Sequence, residues 1–176
     1  PPREDYQRLV DSIFQANWLT NNGPLLRQLE TEVPAFLNSS PMQFVSNGTI
    51  ALQLAIRALN LKGEIITTPF SYVATCTSII WEHCSPVFVD IASDGYNIDA
   101  RKIEQAISRR TSAILATHCF GIPCEVEFID SIAKKHGLRV IYDGAHCFGS
   151  TVKDKSVFDF GDVTTCSFHA TKLFHS

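Results

Sequence analysis

"LRVIYDGAHCFGS", residues 138–150, decides the fold. Leu138 to Tyr142 is apolar except at Arg139, which suits a short strand buried on both faces. Asp143 follows it directly. A carboxylate at the end of a buried strand is costly unless it meets a cation or hydrogen-bond donors, or caps the segment that follows. His146 stands on the same short loop. Immediately upstream, "EVEFIDSIAKKHG" (125–137) has helical periodicity, with Lys134, Lys135 and His136 in its last turn and Gly137 as its stop.

The same helix–strand rhythm extends in both directions. Strands are predicted in "QFVSNG" (43–48), "EIITTP" (64–69), "PVFVDI" (86–91), "SAILATH" (112–118) and "DVTTCSF" (162–168). Helices are predicted in "TIALQLAIRALNL" (49–61), "SYVATCTSIIWEH" (71–83) and "NIDARKIEQAISRR" (97–110), the last with Asn97 or Asp99 as its N-cap. Strands alternating with helices at this spacing imply right-handed crossovers, and hence a three-layer α/β/α architecture around a mainly parallel sheet. Before it, residues 6–38 read as two helices broken at Asn21-Asn22-Gly23-Pro24, with Pro24 placed at a helix start. This sets a helical segment, 1–40, against an α/β part, 41–176.

Charge and composition exclude several functions. A formal net charge of −3 over 176 residues leaves no footprint for nucleic acid. No apolar run is long enough to span a bilayer, and the charged opening "PPREDYQRLV" is no signal peptide, so a soluble cytoplasmic protein is expected. Six cysteines include three His-Cys dipeptides, at 83–84, 118–119 and 146–147. Neighbours on a strand point to opposite faces, and no C-x₂-C pair exists, so buried reduced thiols are expected and no metal. A Cys–His hydrolase is disfavoured for the same reason.

In an open α/β sheet, ligands sit beyond the carboxyl ends of the strands. Asn47-Gly48-Thr49 leads into a helix there, as either a phosphate-binding turn or an ordinary turn with an N-cap. Phe70 and Tyr72 follow the next strand, as core packing, a lid or a stacking face. Asp143 and His146 follow another, and Ser167 ends the last, with Lys172 five residues later. Lys172 alone reads as a solvated lysine. Together, anion-binding amides, an aromatic face, a carboxylate, a hydroxyl and an amine are what pyridoxal 5'-phosphate needs.

These blocks also have a family look. "WLTNNGPLLRQLE", "SNGTIALQLAIRAL", "TTPFSYVATCTSI", "PVFVDI", "HCFGIPCEVEFIDSIAKKHGLRVIYDGAHCFGS" and "FGDVTTCSFHATK" occur in one order. The chain resembles the sugar aminotransferases of the DegT/DnrJ/EryC1/StrS family, within the aspartate-aminotransferase-like (type I) fold of vitamin B6 enzymes. The resemblance implies that Lys172 is catalytic and carries pyridoxal phosphate. It implies that Asp143 holds the pyridine nitrogen protonated, that Tyr72 stacks on the ring and that His146 contacts the cofactor. Gly48 and Thr49 match the phosphate-binding turn, to which Ser167 adds a hydroxyl.

The implied reaction is a ping-pong transfer of an amino group, from L-glutamate, to a nucleotide-linked keto sugar such as a 4-keto-6-deoxysugar, in polysaccharide biosynthesis. The Trp18 to Gly23 segment is expected to shape the substrate entrance. By resemblance, residues 41–176 are an incomplete large domain whose family continues past Ser176 into a C-terminal small domain and works as homodimers. The chain is therefore expected to be a fragment. Two alternatives keep the cofactor. One is a sugar dehydratase, against which Lys172 argues, because the deoxygenating branch has histidine there; the other is a fragment that binds without turnover.

Overall fold

The computed structural model describes residues 2–174. Its centre is a five-stranded, wholly parallel sheet. The strands are β1 (Glu64–Thr67), β2 (Ser85–Phe88), β3 (Thr111–Thr117), β4 (Arg139–Asp143) and, after a hairpin, β7 (Val163–Thr165). They lie in the order β2-β1-β3-β4-β7. The helices are α1 (Arg3–Ala16), α2 (Pro24–Leu37), α3 (Gly48–Ala58), α4 (Val73–Trp81), α5 (Ala100–Ile103) and α6 (Val126–His136).

Strand side chains alternate between two cores, as a period of two requires. Ile65, Ala113, Leu115 and Ile141 face Leu52, Ile56 and Ile79 of α3 and α4. Ile66, Ile114, Ala116, Val140 and Tyr142 face Ile103, Ile129 and Ile132 of α5 and α6. Apolar residues on both faces are what double cover demands, and the three-layer expectation holds. A third cluster joins Val33 and Leu37 of α2 to Cys147, Val157 and Phe158, so α2 is seated on the loops that follow β4. α1 buries no residue.

Several elements differ from the sequence expectation. Residues 43–46 are not a strand. The Phe44 amide donates to Glu30 Oε1 at 3.0 Å instead of to a neighbouring strand, and the Phe44 ring stacks on Phe168 at 5.1 Å. The helix over 97–110 is α5 followed by one 3₁₀ turn, Glu104–Ala106. It stops because side chains take the amides beyond it: Ser108 N–H donates to Thr111 Oγ1 (2.9 Å) and Arg110 N–H to Ser108 Oγ (3.0 Å). Asp99, not Asn97, is its N-cap, accepting from Arg101 N–H. A hairpin of β5 (Thr151–Val152) and β6 (Lys155–Ser156) is added, turning at Lys153 and Asp154 with φ of 50° and 64°.

Candidate active site at the carboxyl edge of the sheet

From β1 the chain crosses into α4 on one face, and from β3 it runs to α6 on the other. The sheet therefore opens a crevice beyond the carboxyl ends of its central strands. Asp143 closes β4 and pairs in register with Thr117. It is buried, and both carboxylate oxygens accept hydrogen bonds: Oδ2 from Thr75 Oγ1 at 2.7 Å and Oδ1 from Ala145 N–H at 3.1 Å. The second bond is a local Asx-type turn. The first reaches the opening turn of α4, so the cost of burying the carboxylate is offset by two donors.

That same α4 begins just after Tyr72, its N-cap, which is 73% exposed and takes no part in core packing. Phe70 is also exposed at the surface, set against Tyr96 (5.8 Å, stacked) and Phe120 (6.3 Å, edge-on). On α4, Ser78 Oγ donates to the Thr49 carbonyl at 3.4 Å, tying it to the start of α3. There Asn47 is an N-cap, its Oδ1 accepting from Ile50 N–H at 2.9 Å. A Cβ on Gly48 would lie 3.6 Å from Ser167 Cβ and 3.7 Å from Ser167 Oγ. The structure thus brings the α3 N-terminus and Ser167 together, at opposite ends of the chain's α/β part.

His146 Nδ1 accepts from Phe120 N–H at 3.3 Å, and the two rings stack at 6.1 Å with 11° between planes. Burial lowers the pKa of His146, the Lys172 ammonium lowers it further, and the Asp143 carboxylate opposes both. Lys172 is part-buried in a turn closed by its amide donating to the His169 carbonyl at 2.8 Å. Ser176, past which the family is expected to continue, lies outside the described residues. Trp18 Nε1 donates to the Asn21 carbonyl at 3.0 Å, and the Arg27 guanidinium covers the indole at 5.0 Å, so the 18–23 segment is a self-packed turn.

Sequence reading missed three residues of this neighbourhood. Thr75 is an ordinary helix threonine by type, and only its place three residues past Tyr72, in the first turn, hinted at a role. Phe120 is a non-glycine residue in the left-handed region (φ 54°). Asn97, read as a helix cap, instead brackets the turn that carries Phe120.

The thiols are set apart from this chemistry. Burial pushes Cys147 up to about 12 and Cys166 up to about 11, and raises Cys124 as well. Among the described residues no three His, Cys, Asp or Glu side chains are grouped to hold a metal. No helix there is long and apolar enough to cross a membrane.

Comparison with known proteins identifies the family and fold of the chain. The chain is 50% identical over 158 residues to the dTDP-4-amino-4,6-dideoxy-D-glucose transaminase of Escherichia coli, covering 90% of this chain and 43% of that one. Its structure superposes on that of DesI, determined in the presence of its TDP-sugar product, with a TM-score of 0.90 and 36% identity over 95% of this chain and 42% of DesI. For NtdA of Bacillus subtilis, determined with its bound cofactor PMP, the TM-score is 0.89 at 31% identity over 98% of this chain and 39% of NtdA. The chain spans less than half the length of these relatives. The model of the DegT/DnrJ/EryC1/StrS aminotransferase family matches residues 2–176, and the chain belongs to that family.

Proposed function

We propose that this chain carries the cofactor-binding part of a pyridoxal-phosphate-dependent aminotransferase acting on a nucleotide-linked keto sugar. The observation that supports it most is the convergence on one sheet edge of a buried, doubly hydrogen-bonded carboxylate, a neutral-leaning imidazole, a lysine and a helix N-terminus beside a serine. The residues present fit the group. Thr67 and Thr117 point, by alternation, to the same face as Asp143, and their buried hydroxyls have no partner among the described residues. Gly48 has no side chain of its own to fill the approach to the α3 amides, and the Ser167 hydroxyl stands beside it.

When bound, pyridoxal phosphate supplies an aldehyde that takes an amine and a ring that accepts an electron pair. Lys172 is assigned to carry the group and, once freed by the amino donor, to move a proton at the donor's α-carbon. Asp143 holds a proton on the pyridine nitrogen, and Thr75 keeps that carboxylate oriented. The α3 amides at Gly48 and Thr49, with Ser167 Oγ, hold the phosphate. Tyr72, exposed at the start of α4, would stack on the ring, and His146 would contact it.

L-Glutamate is the proposed donor and a nucleotide-linked 4-keto-6-deoxysugar the acceptor, the second supported by the name of the Escherichia coli relative. We assign residues 1–40 to an N-terminal helical segment and 41–176 to the large domain. The working protein is proposed to be a cytoplasmic homodimer, with the exposed aromatic surface of Phe70, Tyr96 and Phe120 near its interface.

The test is a trap. The purified chain is incubated with pyridoxal phosphate, reduced with borohydride and mapped by mass spectrometry beside Asp143→Ala and Lys172→Ala variants. Label on Lys172 alone, weakened without Asp143, is the expected result. Label scattered over surface lysines regardless of Asp143 overturns the assignment.

A further inference from the structure

Phe120 adopts φ 54° and ψ 27°, a conformation that bulky side chains rarely hold unless their surroundings impose it. Burial is not the reason, because the residue is 64% exposed. What the conformation does is aim the Phe120 N–H at His146 Nδ1. The turn that bears it, Cys119 to Ile122, is bracketed by one side chain. Asn97 Oδ1 accepts from Cys119 N–H at 2.8 Å, and Asn97 Nδ2 donates to the Ile122 carbonyl at 2.9 Å. Across the contact, a Cβ on Gly121 would come within 3.2 Å of the His146 carbonyl, and Ser150 Oγ donates to the Gly121 carbonyl at 2.9 Å. The turn is therefore fixed against the His146 loop at several points.

We propose that Asn97 is a positioning residue for His146. By bracketing the 119–122 turn it holds the Phe120 N–H on Nδ1, so that the neutral imidazole carries its proton on Nε2 and offers that N–H to a bound group. A ring nitrogen that accepts a backbone N–H cannot also carry a proton, and this fixes the tautomer. The role in cofactor contact rests on the function proposed above; the tautomer does not.

The experiment reads His146 in the cofactor-free chain by ¹H–¹⁵N correlation of ¹⁵N-histidine, across pH, with Asn97→Ala and Phe120→Gly variants. The charged groups facing His146, Asp143 and Lys172, are unchanged in both variants. The wild-type ring is expected as the Nε2–H tautomer, titrating below an ordinary histidine. Asn97→Ala should mix the tautomers and move the midpoint upward, because Nδ1 is released to take a proton. Phe120→Gly should keep the tautomer while losing the stack, since glycine accepts the left-handed conformation and retains its N–H.

An Nδ1–H tautomer in the wild type overturns the proposal. So does a folded Asn97→Ala chain, checked by thermal melting, in which both tautomer and midpoint are unmoved. If Asn97→Ala does not fold, Asn97→Asp decides by tautomer alone: it keeps the acceptor for Cys119 and loses the donor to Ile122. A mixed population supports the bracket, and an unchanged one refutes it. Because no cofactor is present, failure here is separate from failure of Lys172 to take the label.

Discussion

Thr75 Oγ1 donates to Asp143 Oδ2 at 2.7 Å, although Thr75 belongs to the helix after β1 and Asp143 ends β4, with β3 between the two strands. The bond fastens a helix start to a strand end at the point where the sheet opens. Replacing Thr75 with valine keeps its shape and removes the donor. Leaving a buried carboxylate oxygen short of a partner is expected to destabilise the chain by about 1–3 kcal/mol. Urea unfolding measures it, and Thr75→Ser should recover most of the loss. A Thr75→Val chain as stable as wild type would show that water replaces the hydroxyl without penalty.

Gly48→Ala separates fold from binding. The added Cβ meets Ser167 at ordinary van der Waals distance, so nothing in the packing is broken. Stability should stay level or rise by under about 1 kcal/mol, since alanine is the better helix former. The borohydride label on Lys172 should fall several-fold, because the methyl stands where a phosphate would approach the α3 amides.

Gly144→Ala should act in the opposite way. Directly after Asp143, a Cβ would lie 2.8 Å from the Thr165 carbonyl, 3.1 Å from Phe158 and 3.2 Å from Thr164. That carbonyl also accepts the Gly144 N–H at 2.9 Å. The substitution pushes β4 and β7 apart and is expected to cost about 1–3 kcal/mol, read as a lower melting temperature with label on Lys172 lost in parallel.

His118 makes stability depend on pH. It is fully buried, stacked on Tyr142 at 4.5 Å, and its Nδ1 accepts from Cys124 N–H at 3.0 Å. Burial lowers its pKa from 6.5 to about 4. The unfolded chain therefore binds the proton first on acidification. Stability is complete above about pH 6.5 and is lost as pH falls toward 4, by roughly 3 kcal/mol in all. His118→Gln should remove most of that dependence, leaving the part His146 contributes with the same sign. Glu104, lowered by His136 and Lys135, and Asp99, lowered against its desolvation by Lys102 and by the Arg101 amide and charge, add to the loss only at the acid end of that window and below it. A wild-type profile already flat between pH 4 and 6.5 would contradict this account.

The alternation of buried strands and amphipathic helices could be read best around β1, β3 and β4, which are apolar on both faces, and at α6, whose stop is a glycine. That stop, Gly137, stands at φ 65°. The hairpin at 151–156 could not, because its turn puts Lys153 and Asp154 in left-handed conformations usually signalled by Asn-Gly. The candidate site was readable where a residue type is out of place, as Asp143 is at a buried strand end. Thr75 and Asn97 are unremarkable by type, and their partners are far along the chain. Their roles exist only once the turns at 72–75 and 119–122 are folded.

The contact between Gly48 and Ser167 joins the helix before the first strand to the residues after the last one. A chain emerging from the ribosome can complete β2-β1-β3 and its two covering layers while the anion cradle is still half made. On the proposed function, anion capture there would report that β7 has docked. A nascent chain stalled before Ser167 would fold most of its core with only the α3 half of that cradle in place.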